Sequence, residues 1–158
     1  MSERRYWLFK SEPGVYSFED LLAEVDQTTY WEGVRNYQAR NYLRDVVQVG
    51  DGVLFYHSRI KPPAVVGTAV VVRAGYPDDS AWEPGNPYFD SRSTPERPVW
   101  FRVDIRADKV FPRVVPLDVL KRTPGLEQMM VTRRGARLSI QPVSPSEWQI
   151  VLGLGGVA

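Results

Sequence analysis

Hydrophobic and polar positions along the chain follow two rhythms. Between residues 99 and 111, Trp100, Arg102, Asp104 and Arg106 alternate with Phe101, Val103 and Ile105. A period of two predicts a strand with two different faces. Residues 6–10, 53–58 and 138–142 are short aromatic and apolar runs that also read as strands. Residues 64–74, rich in valine, predict a longer strand, with Gly67 marking a bulge or a close backbone approach. The helical rhythm occurs in shorter pieces. Ser17 caps a helix over 17–25, with Asp20 at the third position of a capping box. Asn36 caps a second helix, whose Ala39, Leu43, Val46 and Val47 share one face. Residues 116–122 predict a third, and residues 125–130 a helical turn. Ser144, Pro145 and Glu147 supply a cap, a first-turn proline and an acid for a last helix. Pro62 and Pro63 deny regular structure to the connection at 59–63. Residues 75–98 break their aromatics with five prolines and predict a long ordered loop, a kind of segment that is often functional. The glycines of 153–158 read as a flexible tail. Strands mixed with short helices, without regular β-α-β alternation, predict an α+β fold. The expectation is one domain over 1–158: a curved β-barrel or strongly curved sheet with flanking short helices.

The stretch 31–43, WEGVRNYQARNYL, combines aromatics, arginines and asparagines around a glycine turn. Its helix needs Asn36 and the apolar face. The turn before it does not need Trp31 or Arg35 to be a turn. Trp31 offers a flat apolar surface, Arg35 a forked donor, and Asn36 a donor and an acceptor. These groups suit a planar heterocycle. A core tryptophan beside a helix cap is the plainer reading of the same residues.

Composition narrows the chemistry. The chain has 158 residues, 43% hydrophobic and 25% charged, as in a globular domain with a core. There is no cysteine, which removes disulfides and thiolate chemistry, and His57 is the single histidine. A multi-histidine metal site is therefore excluded, and no cofactor is expected. No apolar run reaches the length of a membrane span. A monomeric cytoplasmic protein is the expectation. A net charge of +1 argues against a protein that coats nucleic acid, but not against one that holds a single base. Basic residues cluster locally: Lys121, Arg122, Arg133, Arg134 and Arg137 face one acid, Glu127. Arg133, Arg134 and Arg137 are candidate phosphate contacts. Polar groups recur where strands meet turns, at Lys10-Ser11-Glu12, Tyr56-His57-Ser58 and Arg137-Leu138-Ser139. If these strand ends converge on one mouth with Trp31 and Asn36, they form an aromatic-walled pocket with hydrogen-bond partners, suited to a nucleobase.

Four stretches resemble the EVE-domain family. They are YWLFKSEP at 6–13, WEGVRNYQARN at 31–41, GDGVLFYHS at 50–58 and RLSIQPV at 137–143. The family belongs to the PUA-like superfamily, which includes the YTH readers of methylated RNA. Within it, the match is similar to bacterial EVE proteins and the thymocyte nuclear protein group. The resemblance implies a PUA-like β-barrel and a pocket for a modified base in DNA or RNA. It places Lys10, Ser11, Trp31, Val34, Arg35, Asn36, Tyr56, His57, Ser58 and Ser139 at that pocket. The implied function is a non-enzymatic nucleic-acid-binding module, with methylated or otherwise modified cytosine or adenine as partner. Two alternatives stay open: a nuclease or base-modifying hydrolase using His57, and a protein-interaction module using the aromatic loop.

Overall fold

The computed structural model describes residues 3–157. Among the described residues six strands form one mixed sheet in the order β2-β5-β4-β3-β1-β6. They are β1 (Tyr6–Ser11), β2 (Thr28–Tyr30), β3 (Gly52–His57), β4 (Ala64–Pro77), β5 (Phe101–Pro116) and β6 (Ile140–Val143). Only β1 and β3 run parallel; every other neighbouring pair is antiparallel. Four helices accompany them: α1 (Phe18–Ala23), α2 (Tyr37–Asn41), α3 (Leu117–Arg122) and α4 (Pro145–Gly155).

The central strands explain why two layers of helix are needed. In β1, Trp7 and Phe9 enter one core while Leu8 enters another. In β3, Val53 and Phe55 face the first core, and Leu54 and Tyr56 the second. Successive strand residues point to opposite faces, so a strand apolar throughout must be covered on both. α1, α2 and the segment with Trp31 and Val34 cover the first face; α3, α4 and Leu126–Val131 side chains cover the second.

The expected closed barrel is corrected here: the sheet is open. Among the described residues β2 pairs only with β5, and β6 only with β1, so the two edges do not meet. A small barrel encloses one core, whereas this sheet has a packed core on each side. The α+β class stands.

The caps form as their spacing predicts. Ser17 and Asp20 make a reciprocal capping box, as do Ser144 and Glu147, with Pro145 in the first turn. The Asn36 side chain accepts from the Ala39 N–H at 3.0 Å. Its helix continues past α2 as a π-helical turn, Tyr42–Val46. β4 carries register shifts on both sides of Gly67. β5 runs on to Pro116, beyond the predicted 111, because Val115 and Pro116 pair with Val65 and Ala64. The loop after β4 starts later than predicted, at Asp78.

The tail expectation also changes. α4 runs through Gly153 to Gly155, and Gly156 closes it in the left-handed conformation at φ 85°. Gly155 lies against the Phe111 ring, where a β-carbon would come within 2.5 Å. These glycines dock and cap the helix, and Leu154 packs on the second core. Ala158 lies outside the described residues.

Candidate functional site

A cavity of about 690 Å³ opens beside the first core, where β1 ends and the Trp31–Arg35 segment begins. Lys10, Ser11, Trp31, Val34, Arg35 and Ser139 line it, together with Tyr16, Thr28, Thr29, Tyr30, Glu32 and Tyr88 among others. Such a volume suits a small planar ligand.

Trp31 belongs to both the core and the cavity. Its ring lies 5.4 Å from the rings of Phe9 and Phe55, leaving it 8% exposed. Its N–H donates to the Val103 carbonyl at 2.7 Å, so β5 fixes its backbone. The Tyr16 ring meets it edge-on at 6.5 Å. Burial, with Glu24 adding to it, pushes the Tyr16 phenol up to about 12, so it stays a neutral donor, bonded to Glu24 at 2.9 Å.

The polar lining is unevenly committed. Lys10 Nζ donates to the Ala136 carbonyl at 3.0 Å, and burial pulls its pKa down. An ammonium has three donors, so two remain. The Ser139 carbonyl accepts from the Lys10 N–H at 2.9 Å; its hydroxyl has no partner among the described residues. Ser11 donates to the Tyr16 carbonyl and keeps acceptor capacity. Burial pushes the Glu32 pKa up, Asp78 and Asp79 add to this, and Arg102 and Arg35 oppose it.

One buried carboxylate organises the far wall. Asp78 is fully buried and accepts from the Gly33 N–H at 3.0 Å, Arg35 Nη1 at 3.1 Å and the Ser80 N–H at 3.0 Å. Burial pushes its pKa up, but the bonds from Ser80, Gly33 and Arg35 outweigh that and hold it below the usual range. Arg35 Nη2 donates to the Tyr88 carbonyl at 2.7 Å, and its guanidinium lies over the Tyr88 and Trp100 rings. Gly33 has φ +82° and lies under the Tyr88 ring, where a β-carbon would come within 2.5 Å. This position therefore needs glycine on two grounds.

The EVE domain family model matches residues 5–154. The chain belongs to the EVE domain family. This EVE domain is 42% identical to thymocyte nuclear protein 1 of Gallus gallus, over 94% of its own length and 68% of the relative's. Its identity to the Homo sapiens protein is 41%, over 94% and 73%. The solved structure of human THYN1 in complex with 5-methylcytosine-containing DNA is similar at TM-score 0.88 and 40% identity, covering 98% of this chain and 99% of that one. A Pseudomonas putida protein of 42% identity is similar at TM-score 0.87, covering 95% and 99%.

Four of the residues assigned to the pocket of this EVE domain are not among those lining this cavity. The Asn36 Oδ1 caps α2, and the residue is not among those lining the cavity. Tyr56 faces the second core, on the opposite side of the sheet, where burial pushes its phenol up to about 12. His57 Nε2 accepts from the Phe18 N–H at 3.1 Å, so its lone pair is committed to the start of α1. Ser58 donates its backbone N–H to the Ser11 carbonyl at 2.9 Å, joining the two strand ends without lining the cavity. Arg35 does line the cavity, but its two terminal nitrogens are engaged by Val34, Asp78, Ser80 and Tyr88. Arg133, Arg134 and Arg137 are exposed on the segment that Lys10 ties to the cavity through Ala136.

Tyr16, Glu32 and Tyr88 were not singled out by sequence reasoning. Glu32 sits inside the motif and could have been found there. Tyr88 comes from the proline-broken loop, whose aromatics were the only signal. Among the described residues no helix is long and apolar enough to cross a membrane, and no three His, Asp or Glu side chains group as metal ligands.

Proposed function

We propose that this EVE domain is a non-enzymatic reader of modified cytosine in nucleic acid, with the base held in the Trp31 cavity. The observation that carries the reading is the cavity itself: a Trp31 wall beside uncommitted donors on Lys10 and Ser139. The complex of human THYN1 with 5-methylcytosine-containing DNA supports it. In this reading Trp31 packs against the base. Glu32 accepts from the exocyclic amine of cytosine, a pairing that carboxylates make with that group. Lys10 and Ser139 donate to the remaining polar edge, and Val34 lies near the added methyl group. The commitment of the His57 lone pair favours binding over hydrolysis.

Energetics set the form of the ligand. Extruding a base from a duplex costs a few kcal/mol. One aromatic stack returns about 1–3 kcal/mol. Those nearly cancel, so single strands bind better than unmodified duplex. Burying one methyl adds about 0.8 kcal/mol, roughly fourfold in affinity.

Fluorescence anisotropy with short single strands carrying cytosine or 5-methylcytosine, as DNA and as RNA, tests the reading. At least a severalfold preference for the modified strand is expected, reduced in Glu32→Gln and in Trp31→Phe. Equal affinity for plain and modified strands in both polymers overturns it.

A further inference from the structure

A second cavity of about 390 Å³ adjoins the first, and Arg35 and Tyr88 line both. Its other walls include Tyr37, Phe89, Arg92 and Trp100. We propose that it takes the base of the nucleotide next to the one read, on the same strand. This deepens the reading of the first cavity and rests on it.

Aromatic surface is offered here beyond what packing needs. Trp100 is buried, and Tyr37 stacks on it at 5.0 Å and 26° while staying 51% exposed. Phe89 is 43% exposed and pairs with no other ring among the described residues. Exposed rings side by side in a concave site suit the face of a base, because every base has one. Local charge fits a base better than a phosphate. The Asp90 carboxylate is taken by Arg92 at 2.9 Å and by the Trp100 indole N–H at 2.8 Å, so the floor is close to neutral. A positive charge stands at the edge: Arg40 lies 5.1 Å from the Tyr37 ring and makes no ion pair among the described residues. The linking phosphate can pass there.

The two cavities are one side chain apart. The Tyr88 ring rests on Gly33, and the Arg35 guanidinium lies over both Tyr88 and Trp100. Because Arg35 and Tyr88 line both cavities, in this proposal neighbouring bases of one strand lie on either side of them. A second stack also supplies what extrusion of the first base leaves short, since a stacked base is worth about 5- to 150-fold in affinity.

The test uses single strands with one 5-methylcytosine, intact or with an abasic site on one side or the other. Anisotropy titrations compare the wild type with Phe89→Ala and Tyr37→Ala, both exposed rings, with folding checked by thermal melts. The wild type is expected to lose about fivefold or more with the abasic site on one side only. Both variants are expected to lose a similar factor on the intact strand and nothing further on that abasic strand. Such coupling marks contact between the ring and that base. Indifference to both abasic sites, or equal weakening of intact and abasic strands by the variants, overturns the second subsite. A wild type that does not distinguish 5-methylcytosine from cytosine, yet shows the abasic coupling, overturns the reading of the first cavity alone. Absence of binding to every strand overturns both.

Discussion

His57 and Trp31 show how a side chain suited to a site can be held by the fold instead. The imidazole accepts the Phe18 N–H and is buried, and burial pulls its pKa below 6.5, with Glu19 opposing. Between the folded value and 6.5 the unfolded chain binds more protons, so stability rises with pH there. The contribution is complete above 6.5 and is lost as pH falls through the folded value, where an imidazolium can no longer accept the Phe18 N–H. Urea midpoints from about pH 7.5 down to about pH 5 should therefore fall more steeply in the wild type than in His57→Gln. Parallel curves would sink this assignment. Trp31 carries a related caution. It fills the first core as well as lining the cavity, and truncating a buried tryptophan to alanine costs about 3–5 kcal/mol. Trp31→Ala would confuse lost folding with lost binding; Trp31→Phe separates them better.

The loop from Asp78 to Trp100 is a wall of the site because ion pairs of Asp78 with Arg35 at 3.1 Å and with Arg102 at 3.8 Å latch it there. Asp78 joins Gly33 and Arg35 from the motif to Ser80 in the loop, and Arg35 reaches on to the Tyr88 carbonyl. Removing one partner of a buried pair leaves the other charge uncompensated, at about 3–5 kcal/mol. Asp78→Ala should lose stability on that scale in equilibrium urea denaturation and should also weaken oligonucleotide binding, since Tyr88 lines both cavities. A loss near the ordinary surface value, below about 0.5 kcal/mol, would show that the latch is not what holds the loop. The protein-interaction alternative depended on exposed aromatics at 76–89. Phe89 alone among them is an exposed large ring; Tyr76, Trp82 and Tyr88 are partly buried, and Trp82 and Tyr88 bond or pack within the domain.

At the scale of the whole molecule, charge has to act locally. With a net charge of +1 there is no general field to gather nucleic acid. Attraction must come from patches, and Arg133, Arg134 and Arg137 form one on the segment that Lys10 bonds. Each phosphate contact contributes about 0.7 to the slope of log affinity against log salt for a single strand. The slope should be shallow in the wild type, and Arg134→Ala should lower it by about that amount. An unchanged slope in variants of all three arginines would move the phosphate path elsewhere, with Arg40 the next residue to test.

Much of the local structure was legible in the chain because it depends on partners a few residues away. The Ser17, Asn36 and Ser144 caps each bond within their own first turn. Strand alternation in 99–111 and the bulge at Gly67 follow from backbone geometry alone. Motif chemistry brought Lys10, Ser11, Trp31, Val34, Arg35 and Ser139 to attention, and all six line one cavity. Residues 50–58 mark the limit of that reading. A strand end displays Tyr56, His57 and Ser58 as equals in sequence, but the pleat sends Tyr56 to the far core and α1 takes up His57. The role of Arg35 depended on Asp78, forty-three residues away, and the second cavity on Tyr88 and Phe89 from a loop without periodicity. Whether the sheet closes, which face each polar group reaches and which donors remain free are set by pairings between distant segments. Sequence determined the local elements and the chemistry available to them; tertiary packing decided which of those groups were left uncommitted at the cavity.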